Sequence, residues 1–179
     1  MSDNLDGEEF SKRIYQEYDT YQMNLQQADT KKQTALLHTN YFQDCLKDSM
    51  EIILQSKEAR RIPVKMIIAI LKDRMILSQT KANDAMKICD IRDWFAHRVN
   101  VRSVEEDAKE LIYTINVQSP IEENTIHVKE ITDIIIRANK EKENFDLYER
   151  LDLICSDLSR TIRNEAIRQG NKSKTTGAI

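Results

Sequence analysis

Arg92, Asp93 and His97 stand together in CDIRDWFAHRV, residues 89 to 99. An arginine followed five residues later by a histidine is a pairing suited to phosphate chemistry. The guanidinium can hold phosphoryl oxygens and stabilise their charge, and the imidazole can move protons near neutral pH. The reaction that fits such a pair is RNA cleavage, in which the 2′-hydroxyl attacks the adjacent phosphate without needing a metal ion. The structural alternative is a polar seam inside a helical bundle, with His97 as a hydrogen-bonded helix terminus.

The stretch reads as helical, with Ala85, Cys89, Arg92, Ala96 and Val99 on one stripe. An arginine interrupting small side chains must be paired or face a cleft or subunit interface, because a buried unpaired charge is strongly unfavourable. Five residues correspond to roughly 140° around a helix advancing about 100° per residue, so one straight helix does not aim both groups at one atom. Two arrangements bring them together. Either the helix unwinds near His97, with Asn100 placed to end it, or a second copy of the chain supplies the partner across a two-fold axis. The second is favoured, and it makes a homodimer the expected assembly.

RDWFAH, Arg92 to His97, resembles the arginine-polar-x-x-x-histidine signature of the HEPN superfamily of helical domains. The wider stretch IPVKMIIAILKDRMILSQTKANDAMKICDIRDWFAH is similar to the mannitol-repressor-like branch, in which an apolar helix and a short turn precede an IRN-x-FAH motif. ALLHTNYFQDCLKDSMEIIL, residues 35 to 54, matches that branch's leading helix in pattern, so the resemblance spans roughly residues 30 to 115. It implies a HEPN-like bundle of about five to seven helices, including long C-terminal ones. It also implies a metal-independent ribonuclease of the toxin or defence type, with Arg92 and His97 as the catalytic pair. Asp93 would orient Arg92 or the histidine, although it departs from the commoner asparagine at that position. Arg98 and Arg102 are the candidate nucleic-acid contacts. The resemblance allows an antitoxin or other regulatory protein as partner. The alternative is a non-catalytic regulator or protein-interaction domain of the mannitol-repressor-like kind, and the chain has no evident helix-turn-helix reader with a basic recognition helix.

The elements that must position these residues are helical. The 179 residues include only 3 Gly and 2 Pro, and long segments use the residues that lose least on entering a helix. A first helix is expected over about Glu8 to Gln27, and a second from an Asp29 or Thr30 cap to about Ser56. Pro63 then interrupts the chain and starts an apolar third helix, VKMIIAILKDRMIL. The fourth runs from about Lys81 to Val99, and Ser103 with Glu106 forms a capping-box pattern for a fifth through ELIYTI. Pro120 and Asn124 mark a loop, and Val128 to Gln169 forms one or two more helices. Residues 1–169 form one domain in this reading, and 170–179 a disordered basic tail.

Net charge is -3, but residues 57 to 102 carry 11 Lys/Arg against 5 Asp/Glu, while residues 103 to 159 carry 6 against 14. The motif therefore lies in the one basic block of the body of the chain. Arg60 and Arg61 offer a further phosphate contact or a solvated turn. Trp94 and Phe95 read as packing residues, His38 as a satisfied core or boundary histidine, and His127 as part of a loop or helix start. Cys45, Cys89 and Cys155 lack metal-ligand spacing and read as reduced core thiols. No cofactor, metal or membrane span is expected, and the chain reads as cytoplasmic.

Overall fold

The computed structural model describes residues 7–115 and 146–176, which are all-helical with no strand among them. In chain order they form α1 (Gly7–Gln26), α2 (Lys31–Leu54), a 3₁₀ turn (Lys57–Arg61), α3 (Val64–Asp73), α4 (Gln79–His97), α5 (Val101–Ile112) and α6 (Leu147–Thr176). His127 and the expected elements between Val117 and Phe145 lie outside the described residues.

Local chemistry sets most boundaries. Thr30 caps α2 through a reciprocal box: its hydroxyl accepts from the Gln33 N–H at 3.2 Å, and the Gln33 side chain accepts from the Thr30 N–H at 3.0 Å. Ser78 caps α4, and its hydroxyl accepts from the Lys81 N–H at 3.2 Å. The third helix ends earlier than its apolar run suggests. Met75 turns left-handed at φ 57°, and the Ile76 and Leu77 N–H groups bond back to the Leu71 carbonyl at 2.9 and 3.1 Å. With Met75 N–H bonded to Lys72 O at 2.9 Å, this is a Schellman ending with methionine where glycine is usual. Ile76 and Leu77 thus enter the core from a turn. The fifth helix starts at Val101, ahead of the expected Ser103 cap, because the Asn100 side chain accepts from the Ser103 N–H.

The core joins α2 through α6. Phe42, Leu46 and Met50 from α2 share it with Ile67, Ile68 and Leu71 from α3 and with Ile88, Ile91 and Phe95 from α4. Val104, Ala108 and Ile112 extend it through α5, and Leu151, Ile154, Leu158 and Ile162 complete it from α6. These positions recur at three- and four-residue spacing, the geometry of one buried stripe per helix. The α2–α6 pair is the most extensive helix packing.

Helical backbone continues past Gly170 to Thr176, into the stretch expected as a disordered tail. At Gly170 α6 lies close against α2: a Cβ there would lie 2.9 Å from Ile52 Cγ2. Its glycine reads from sequence as a breaker, but it serves as a close-approach residue within a helix.

α1 is attached differently. Among residues 11–26 only Tyr21 is buried, and Tyr15, Tyr18 and Met23 are exposed. Contacts between residues 21 and 38 and between 13 and 51 show that α1 runs antiparallel to α2 across the short 27–30 connection. No helix among the described residues is long and apolar enough to cross a membrane.

Candidate functional site

α4 buries Ala85, Ile88, Cys89, Ile91 and Phe95 and turns Arg92, Asp93 and His97 outward. The Arg92 side chain is 31% exposed and that of Asp93 43% exposed. His97 is the last helical residue and is exposed. The motif therefore occupies the surface of α4. Of the apolar stripe expected around it, Ala85 and Cys89 are buried, whereas Val99 has left the helix and is almost fully exposed.

The backbone stays helical through His97, and only Arg98 turns extended, at ψ 139°. Unwinding before His97 does not occur. On a regular helix the two side chains are then about 140° apart, so one copy of the chain does not aim both at the same atom.

Arg92 is held from two sides. Its Nε donates to Asn40 Oδ1 on α2 at 3.3 Å, and its Nη1 donates to Asp93 Oδ1 at 3.2 Å. Nη2 has no partner among the described residues. Lys65 on α3 completes the surroundings, with Nζ 2.9 Å from Asp90 and 3.9 Å from Asp93. Its hydrogen bond to Asp90 holds the ammonium above its ordinary pKa. Two cations and two carboxylates balance here, so the basic block seen in the sequence does not produce an unbalanced positive patch around Arg92.

Arg98 pairs with Asp107 and lies 4.9 Å over the Trp94 ring, an arrangement that fixes its guanidinium at the α4–α5 corner. Arg102 faces Glu106 at 3.6 Å, both widely exposed, a pairing of little energetic weight. Neither shares a partner with Arg92. Trp94 is half-buried and Phe95 buried, as packing residues should be. All three cysteines are free and buried. Burial pushes the thiols of Cys45 to about 11 and Cys89 to about 12, which leaves them protonated and inert.

Two polar constellations were not legible in the sequence. In the first, fully buried Asp48 and Glu51 of α2 meet arginines from three other elements. Arg13 of α1 donates to both Glu51 oxygens at 3.1 and 2.8 Å. Arg60 of the 3₁₀ turn pairs with Asp48, and Arg163 of α6 reaches Asp48 Oδ2 at 3.4 Å. Burial, and next the Asp48 carboxylate, raise the pKa of nearby Glu17. Arg60 is thus engaged internally, while Arg61 pairs with Glu58, three residues before it, at the surface.

The second joins Tyr21, His38 and Asp152. The Tyr21 hydroxyl lies 2.6 Å from His38 Nδ1 and donates to Asp152 Oδ1 at 3.1 Å; Nδ1 is 3.2 Å from the same oxygen. With Tyr21 donating to Asp152, the triangle is satisfied when Nδ1 carries its hydrogen. Burial, reinforced by Asp152, raises the Tyr21 pKa far above its ordinary value. Burial would also raise Asp152, but hydrogen bonds from His38 and Tyr21 outweigh it and hold that carboxylate below its usual range.

An open cleft of ≈ 310 Å³ runs between α1 and α2, and Asn40 is on its wall. No group of three or more His, Cys, Asp or Glu side chains among the described residues is arranged to hold a metal ion. The chain matches no protein-family model, no curated protein and no solved structure.

Proposed function

We propose that this chain is a metal-independent endoribonuclease of the HEPN toxin or defence type, acting as a homodimer with Arg92 and His97 of both copies at a shared cleft. The observation that carries the reading is the placement of Arg92. It is on the outer face of α4, anchored through Nε and Nη1, with Nη2 left for a phosphoryl oxygen. A guanidinium held in this way is already oriented for charge that develops on a phosphate. An exposed His97 at the end of the same helix is accessible to a second copy.

In the reaction, one imidazole takes the proton of the 2′-hydroxyl as its oxygen attacks phosphorus. The bond to the 5′-oxygen breaks, and the other copy's imidazolium protonates the leaving oxygen. The products are a 2′,3′-cyclic phosphate and a 5′-hydroxyl. Arg92 stabilises the charge on the phosphoryl oxygens, Asp93 orients the guanidinium, and Arg98 and Arg102 contact the strand farther along. An antitoxin-like protein covering the cleft would silence it.

A second reading rests on one specific contact. The Asp93 carboxylate at 3.2 Å from Arg92 Nη1 competes with phosphate, which favours a non-catalytic regulatory or protein-interaction domain. Cleavage of a labelled structured RNA in EDTA by wild type, Arg92→Ala and His97→Ala decides between them. The nuclease reading expects cyclic-phosphate ends from wild type alone, with all three proteins equally helical by circular dichroism. Intact RNA with every protein leaves the regulatory reading.

A further inference from the structure

The cleft between α1 and α2 has a neutral end and a charged end. Because the helices are antiparallel, Thr20 and Asn24 of α1 lie toward the same end as Leu37 and Asn40 of α2. Arg13, Glu17 and Asp44 lie toward the other. Tyr21 and Tyr41, whose rings stack with centroids 4.4 Å apart, also line the space. The volume of the whole cleft, ≈ 310 Å³, falls at the lower end of small-ligand sites.

Asn40 connects this space to Arg92. Arginine only donates hydrogen bonds, so the amide oxygen of Asn40 must be the atom facing Arg92 Nε at 3.3 Å. The Asn40 NH₂ group therefore points away from the guanidinium. It has no partner among the described residues, and the residue lines the cleft. A phosphate held by Arg92 thus adjoins a cavity whose near end carries an amide donor, the Asn24 amide, the Leu37 side chain and the Thr20 hydroxyl, which donates to the Gln16 carbonyl at 2.8 Å and offers the cavity its acceptor side. Amides recognise base edges, and apolar and aromatic surface accommodates the base ring.

We propose that the neutral end of the α1–α2 cleft is a nucleotide subsite, taking the base of the single-stranded RNA residue next to the phosphate that Arg92 holds, with Asn40 bridging the two. This rests on the ribonuclease reading above and adds to it a preference for unpaired RNA, because a base must leave its stack to enter. Asn40 is at once the positioning residue for Arg92 and a contact for the base.

The test measures binding of a fluorescein-labelled 2′-O-methyl oligonucleotide, which cannot be cleaved because its 2′-oxygen is blocked, to the full chain by anisotropy. Thr20→Trp fills the cleft from an exposed position on α1, and Asn24→Ala removes one amide with little risk to folding. Wild type is expected to bind, Thr20→Trp to weaken binding about tenfold, and Asn24→Ala about threefold. Met66→Ala, at an exposed, uncharged position on α3 outside the cleft, should bind as wild type does. No binding by wild type, or equal binding by wild type and both cleft variants, overturns the subsite. Cleavage of the all-ribose strand is scored separately. Its absence alongside the expected binding pattern removes the nuclease reading and keeps the subsite, whereas cleavage with unchanged variant binding does the reverse.

Discussion

Asp93 is the residue on which the two functional readings divide. Its carboxylate sits 3.2 Å from Arg92 Nη1 and is 43% exposed, so it steers the guanidinium while adding negative charge where a phosphate must come. A partly exposed ion pair of this kind is worth about 1 kcal/mol or less. Asp93→Asn keeps a hydrogen-bond acceptor for Arg92 and removes the charge. In the nuclease, kcat/KM for RNA should rise, by about fivefold at most, since 1.4 kcal/mol corresponds to tenfold. Steady-state cleavage at low RNA concentration measures this. Reduced cleavage by a folded Asp93→Asn protein would show that the charge itself serves the reaction, and unchanged cleavage that it does not compete with phosphate. The arginine–histidine spacing was legible in the sequence because both residues are on one helix. Asn40 was not, since it lies 52 residues earlier and only the packing of α2 against α4 brings it to Arg92.

At the scale of elements, legibility followed how local each signal is. Thr30, one of the two caps expected for α2, acts through Gln33 over three residues, whereas Ser78 caps α4 ahead of the start expected at about Lys81. The end of α3 was hidden because methionine occupies the left-handed position, and nothing in the residue type announces that backbone. α2 was harder still. It packs against α1, the 3₁₀ turn, α3, α4 and α6, so no single polar face remains to distinguish Asp48 and Glu51 from solvent-facing carboxylates. α1, by contrast, is fastened largely by polar groups, and that predicts a pH dependence. The Asp152 carboxylate is held below its ordinary range by His38 and Tyr21. Its contribution is therefore present above the unfolded aspartate pKa and is lost as pH falls below about 4. Asp152→Asn should destabilise by about 1 kcal/mol at pH 7, a figure reduced because the carboxylate is 46% exposed. The deficit should shrink as the wild type is acidified. Thermal melts from pH 7 to pH 3 measure it, and a deficit independent of pH would mean that the mutation acts through packing.

For the whole molecule, Asp48 ties α1 and α6, the first and last described helices, together. Arg13 lies in α1, Arg60 in the turn a third of the way along the sequence and Arg163 in α6, yet all three converge on a carboxylate with no exposed surface. Three arginines face Asp48, Glu51 and Glu17, so the charges balance only while all three acids can share them. Such a cluster is weak evidence for net stability, since desolvation offsets much of the attraction, but removing one member leaves buried charge uncompensated. Asp48→Asn should therefore cost about 3 kcal/mol, the low end for a buried pair, because Arg13 and Arg60 remain about one-third exposed. Urea unfolding followed by circular dichroism gives the value. The loss should be cooperative, because α2 and α6 share one core and cannot separate without opening it. Removing one arginine as well restores the balance of charge, so Asp48→Asn combined with Arg60→Gln should be less destabilised than the sum of the two single changes. Additive losses would show that the arginines do not share Asp48, Arg13 and Arg60 being satisfied by Glu51 and Glu17, and Arg163 by the Tyr41 hydroxyl. The cluster would then be a set of independent contacts, with no charge-balanced joint between the first and last helices.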